Sequence, residues 1–107
     1  MTDIKATVII AAWNAEAELS RSLRSALAQA IPVEVIVADD ASTDGTASLV
    51  ETMAQADPRV VLVRQAVNGG PGAARNVAIE AARGDWIAVL DADDTMRPDR
   101  LAKMIAE

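Results

Sequence analysis

An open, mostly parallel α/β sheet of about four strands, with helices on both faces, is the architecture this 107-residue sequence predicts. Three observations predict it. Four short apolar runs have strand length: Ala6–Ala12 (ATVIIAA), 33–38 (VEVIVA), 60–63 (VVLV) and 86–90 (WIAVL). Stretches with apolar residues at helical spacing separate them. Strand and helix therefore alternate along the whole chain, which calls for parallel strands joined by right-handed crossovers.

Each element follows from its residues. The first run is rich in β-branched side chains and ends at Trp13 and Asn14. Asn14 suits a helix N-cap, and Glu16 and Glu18 favour the positive end of a helix dipole. Leu19, Leu23, Ala26, Leu27 and Ala30 then share one helical face, and Pro32 stops that helix. The second strand runs into Asp39 and Asp40. Ser42, Thr43 and Asp44 all suit the next N-cap, and Leu49, Val50, Met53 and Ala54 line one side of the helix that Asp57 and Pro58 close.

After the third strand, Asn68-Gly69-Gly70-Pro71-Gly72 is the densest loop signal in the chain. Residues 73–83 are rich in helix formers, with Gly84 where a C′ glycine belongs. The fourth run is so apolar that it reads as a buried parallel strand. It meets three carboxylates within four positions: Asp91, Asp93 and Asp94. Pro98 suits the first turn of a last helix carrying Leu101, Met104 and Ile105. Residues 1–107 read as a single domain. Because the last helix reaches Glu107 without a C-cap signal, the sequence is expected to be the N-terminal half of a larger domain, truncated in or after that helix.

Composition narrows the function. Hydrophobic residues make up 51% with neither Phe nor Tyr, so Ala, Val, Ile and Leu must fill the core. With no Cys there is no disulfide or thiolate chemistry, and with no His any metal must be held by oxygen. A net charge of −6 argues against a nucleic-acid surface. No apolar run approaches the ~20 residues of a membrane span, and no signal-peptide pattern opens the chain. The expected location is cytoplasmic, with attachment to the inner membrane face only as a peripheral protein.

Parallel strands have their carboxyl ends on one edge, where open sheets bind ligands. Ala12, Trp13, Asn14, Asp39, Asp40, the glycine loop and the Asp91–Asp94 run should meet there. Three crowded carboxylates repel one another and call for a cation. Oxygen ligands favour Mg²⁺ or Mn²⁺, which bridge a carboxylate or two to substrate phosphates; otherwise these residues form a solvated turn before the last helix. Of Asp39 and Asp40, one can accept a hydrogen bond from a base N–H while the other caps a helix. Trp13 either stacks on a planar ring or covers the core. The glycine loop is a phosphate cradle or a tight turn; it lacks both the Walker lysine and the dinucleotide fingerprint. Arg75, near the start of the following helix, either steadies the acidic residues or touches phosphate.

Four motifs carry a family resemblance: Val8-Ile9-Ile10-Ala11-Ala12-Trp13-Asn14, Val37 through Thr46 (VADDASTDGT), Gly72-Ala73-Ala74-Arg75-Asn76 and Leu90-Asp91-Ala92-Asp93-Asp94. In order and spacing they resemble family 2 glycosyltransferases, over essentially the whole chain. The resemblance implies the N-terminal, Rossmann-like half of a GT-A fold, a nucleotide-sugar donor that is commonly UDP-linked, and Mg²⁺ or Mn²⁺. Carried over by position, Ala12, Trp13 and Asn14 would lie along the base. Asp40, or Asp39 beside it, would read the uracil N–H. Gly70 and Arg75 would border the donor, Asp91 would contact ribose or sugar, and Asp93, with Asp94, would hold the metal.

The family's general base has no counterpart here and is expected beyond Glu107. Inverting transfer to an acceptor hydroxyl, on a saccharide or lipid-linked saccharide, would then be beyond this chain alone. Two other readings compete. Asp91-Ala92-Asp93-Asp94-Thr95 is also similar to the opening motif of haloacid-dehalogenase-like phosphatases, although that motif normally follows a first strand. The chain could instead be a non-catalytic assembly module, self-associating through an uncovered edge strand.

Overall fold

In the computed structural model, residues 4–106 are described. The elements alternate as expected: β1 (Ala6–Ala12), α1 (Leu19–Leu27), β2 (Val33–Asp39), α2 (Thr46–Ala56), β3 (Val60–Arg64), α3 (Pro71–Ala81), β4 (Trp86–Asp91) and α4 (Arg100–Ala106). All pairings are parallel, and the strand order is β3-β2-β1-β4. The chain steps outward from β1 to β3, then returns across the sheet to place β4 on the other side of β1. That reversal puts a topological switch point between β1 and β4, where doubly wound sheets open a crevice at their carboxyl ends.

The pleat sorts side chains between two faces. Val8, Ile10, Val35, Val37, Ala88 and Leu90 point to one, where Leu19, Leu23, Val50 and Leu101 from α1, α2 and α4 cover them. Ile9, Ile36 and Ala38 point to the other, under Ala74 and Ala78 of α3. The small side chains of α3 let that helix lie close to the strands it crosses.

Four expectations need correction. First, β4 is a half-exposed edge strand and not a fully buried one. Ala88 and Leu90 are buried, but Ile87 and Val89 are each 42% exposed, because α3 lies over β1 and β2 and leaves that face of β4 open. Second, α1 begins at Leu19, after a turn in which Ala15 O accepts from the Glu18 and Leu19 N–H groups, so Asn14 is not its N-cap. Third, α2 is preceded by Gly45 without a side-chain cap at that position; Asp44 instead accepts from the Thr46 N–H at 2.9 Å. Fourth, Gly84 is not a left-handed C′ glycine. Its position is set by close approach: a Cβ there would lie 2.6 Å from both the Ala6 carbonyl carbon and the Thr7 nitrogen. The expected truncation at Glu107 falls outside the described residues.

That close approach is fastened by a buried polar cluster at the amino end of the sheet. Glu34, 1% exposed, accepts from the Thr7 hydroxyl at 2.6 Å and from the Arg83 backbone N–H and Nε at 2.6 and 3.1 Å. Thr7 Oγ1 in turn accepts from the Gly84 N–H at 3.0 Å. Burial pushes the Glu34 carboxyl up, but the hydrogen bonds from Thr7 and Arg83 outweigh it and hold the pKa below the usual glutamate value.

Candidate functional site

The carboxyl ends of β1, β2 and β4 form the site. Two adjoining cavities, each of about 250 Å³, share Ala11 and Trp13. One adds Ala12 and Asp40; the other adds Asn14, Ala15, Glu18, Ala92 and Asp93. Asp40 and Asp93 therefore flank the same tryptophan. Trp13 is 57% exposed, so it does not cover the core, and its indole is available to a ligand.

Adjacent in sequence, Asp39 and Asp40 have separate surroundings. Asp39 is fully buried; it accepts from the Ser42 hydroxyl and N–H, and Arg64 Nε lies 3.3 Å from it. This carboxylate is spent on tying β2, β3 and the intervening loop together. Asp40 faces the cavity. Its own N–H donates to Ala12 O at 2.9 Å, which extends the β1–β2 ladder by one step. Its two carboxylate oxygens accept from the Gly69 and Gly70 N–H groups, each at 2.9 Å. Asp40 is only 3% exposed, and of the roughly four acceptor positions of a carboxylate these bonds leave two unused. With both aspartates pinned, Ala41 is left at φ 60, a conformation that costs a residue bearing a Cβ roughly 1–2 kcal/mol.

Gly70 has φ 89 with nothing within 4 Å of where a Cβ would stand, so backbone conformation and not space requires glycine. The glycine loop is thus a partner of Asp40 that opens α3. Asn14 also has a positive φ, 48, which asparagine tolerates. Its side-chain oxygen accepts from the Thr43 N–H at 2.8 Å, and its own N–H donates to Ser42 Oγ at 2.9 Å. Asn14 therefore joins the β1 and β2 loops and lines the second cavity. Ser42 serves both neighbours, a role that its reading as a helix-cap candidate missed.

At the end of β4, Asp91, Asp93 and Asp94 are all exposed. Asp91 lies 3.6 Å from Arg75 Nη2, across from α3. Arg75 Nε is buried with no hydrogen-bond partner, which leaves one donor beside Asp91 unused. The Asp94 N–H donates to Asp91 O at 3.0 Å, closing a tight turn around Ala92 and Asp93. Among the described residues, no three carboxylates gather closely enough to hold an ion by themselves. The expected crowding is relieved by the turn, which spreads the side chains. Exposed oxygen donors of this kind fit Mg²⁺ or Mn²⁺ in the usual manner, with one or two carboxylates completed by water and substrate phosphate.

The model of a family described as "Glycosyl transferase family 2" matches residues 7–107. The chain belongs to glycosyl transferase family 2. The succinoglycan biosynthesis protein ExoO of Rhizobium meliloti is 54% identical over 100 residues, covering 92% of this chain and 28% of that protein. Among solved structures, S. aureus TarS residues 1–349 in complex with UDP matches with a TM-score of 0.86 at 34% identity, over 96% of this chain and 31% of that one. Mannosyltransferase PcManGT from Pyrobaculum calidifontis, in complex with GDP-Man and Mn²⁺, matches with a TM-score of 0.87 at 31% identity, over 98% of this chain and 33% of that one. These matches identify the sheet as the N-terminal half of a GT-A fold. The chain spans about a third of the length of these relatives. The family match runs through Asp91 and Thr95, which leaves the phosphatase reading without support. Among the described residues, no helix is long and apolar enough to cross a membrane.

Proposed function

We propose that this chain is the donor-binding part of a glycosyltransferase that uses a nucleotide-diphosphate sugar, UDP-linked, with Mg²⁺ or Mn²⁺. The observation that carries this reading is the flanking of one exposed tryptophan by Asp40 and Asp93 at the switch point of the sheet. Trp13 stacks on the base, with Ala12 and Asn14 along it, and Asp40 accepts the base N–H through its remaining lone pairs. Gly70 keeps Asp40 in place. Asp91, steadied by Arg75, contacts ribose or sugar. Asp93 and Asp94 hold the metal. A divalent ion held there would supply positive charge to the diphosphate leaving group. The general base that activates the acceptor hydroxyl lies outside the residues of this chain, transfer inverts the anomeric centre, and the acceptor is a saccharide or lipid-linked saccharide. The protein acts in the cytoplasm, at or near the inner membrane face.

Titration with UDP, with and without Mn²⁺, tests the reading. Saturable binding that Mn²⁺ strengthens is expected. Asp93→Ala should abolish the Mn²⁺ increment while uridine still binds. A wild-type chain that binds neither UDP nor uridine overturns the donor site, and glycosyl transfer by the 107-residue chain alone overturns the placement of the base.

The exposed Ile87 and Val89 of β4 favour a second reading, in which the chain self-associates along that edge. Sedimentation in solution separates the two: a dimer that ignores nucleotide supports assembly.

A further inference from the structure

The segment from Ala92 to Asp99 has no regular secondary structure, yet it carries Asp93 and Asp94. Its backbone groups need partners from elsewhere, and a stripe of α1 supplies them. Ser22, fully buried, donates from Oγ to Asp91 O at 3.1 Å. Ser25 Oγ accepts from the Met96 N–H at 3.0 Å. Gln29, just past the helix end, donates from Nε2 to Arg97 O at 2.7 Å and accepts through Oε1 from the Leu101 N–H at 3.1 Å. Three polar side chains thus grip the segment at its start, middle and end. The side chains of Met96 and of Leu101 in α4, whose N–H groups make two of these bonds, are buried in the core and anchor the segment there.

From this arrangement we infer that Ser22, Ser25 and Gln29 are positioning residues for Asp91 and Asp93. The inference rests on the donor-site reading. Asp91 has Arg75 at 3.6 Å, but Asp93 and Asp94 are exposed, belong to no ready-made cluster and are not fixed by side-chain contacts of their own. What fixes them is the backbone beneath. Asp91 O is the pivot: it closes the turn with the Asp94 N–H, and the Ser22 hydroxyl holds it toward α1. Without that hydroxyl the turn beyond Asp91, the last residue of β4 paired with β1, loses its tie to α1 at this point and is held there only from Ser25 and Gln29 onward. Groups that orient metal ligands from behind typically contribute about 10- to 100-fold to metal affinity.

The test uses Ser22→Ala, with Ser25→Ala as the second variant should the first fail to fold. In the ligand-free chain, exchange of the Asp94 amide, which is bonded to Asp91 O, should quicken in the variant while β1 and β2 amides keep their protection. Mn²⁺-dependent UDP affinity should fall about tenfold, whereas uridine, which reads Asp40 and Trp13, should bind as in the wild type. Ser22→Cys, which keeps a weak donor, should recover part of the loss. Unchanged exchange at the Asp94 amide overturns the proposal whatever the ligand does. Equal losses for uridine and for UDP with Mn²⁺ also overturn it, since that pattern marks general destabilisation. If the wild-type chain shows no Mn²⁺-dependent UDP binding, the donor reading fails while the exchange result still decides whether Ser22 orders the turn.

Discussion

Gly70 donates its backbone N–H to the Asp40 carboxylate at 2.9 Å, across 30 positions of sequence. The bond joins the end of β2 to the start of α3 and aims Asp40 at the cavity beside Trp13. Asp40→Asn would turn one acceptor oxygen into an amide NH₂ donor that faces either a loop N–H or the base N–H. Hydrogen bonds to charged groups contribute about 1.5–3 kcal/mol, so UDP affinity should fall roughly tenfold to a hundredfold. Calorimetric titration measures this, and wild-type affinity in the variant contradicts the role assigned to Asp40.

Trp13→Ala separates binding from folding. The indole is 57% exposed, so its removal should leave thermal stability nearly unchanged. Stacking of a base on an aromatic side chain contributes about 1–3 kcal/mol, so UDP and uridine should weaken together, about fivefold or more. A large drop in melting temperature instead would mean that the ring supports the fold.

Glu34 predicts an acid limb in stability. Its carboxyl is held below the ordinary value of 4.5, so folding favours the ionised form. This stabilisation is complete above that pH and is lost as pH falls through the lower value of the folded state. Urea titrations between about pH 5 and pH 3 should therefore show a decline that Glu34→Gln makes shallower. At pH 7 the variant should be less stable by about 1–3 kcal/mol, because Arg83 and Thr7 keep only part of their hydrogen bonding. A pH profile parallel to the wild type would contradict the linkage.

Two glycines should respond in opposite directions to alanine. At Gly84 the added Cβ would meet the backbone of Ala6 and Thr7, which cannot give way without shifting β1. Gly84→Ala should destabilise the chain by about 1–3 kcal/mol or more. Gly72 lies in α3 with nothing within 4 Å, and Gly72→Ala should stabilise it by about 0.5–1 kcal/mol through helix propensity. Denaturant midpoints decide both.

The sequence by itself determined the four strands, their parallel direction and the edge on which the acidic and glycine residues gather. Those properties follow from local periodicity and from handed connections, which a few neighbouring residues encode. The order of strands, with β4 beside β1, was decided only in three dimensions, because the return crossover of α3 depends on which sheet face has room for it. Tertiary structure also divided the labour between Asp39 and Asp40. The two share a composition and a neighbourhood in sequence, yet Ser42 and Arg64 claim one while Gly69 and Gly70 claim the other. Likewise, an apolar run such as 86–90 reads as buried, but its burial depends on what covers it, and α3 covers β1 and β2 instead. Hydrogen-bond partners separated by tens of residues leave no periodic trace, so the grip of Ser22, Ser25 and Gln29 on the Asp93 loop became visible only once the chain was folded.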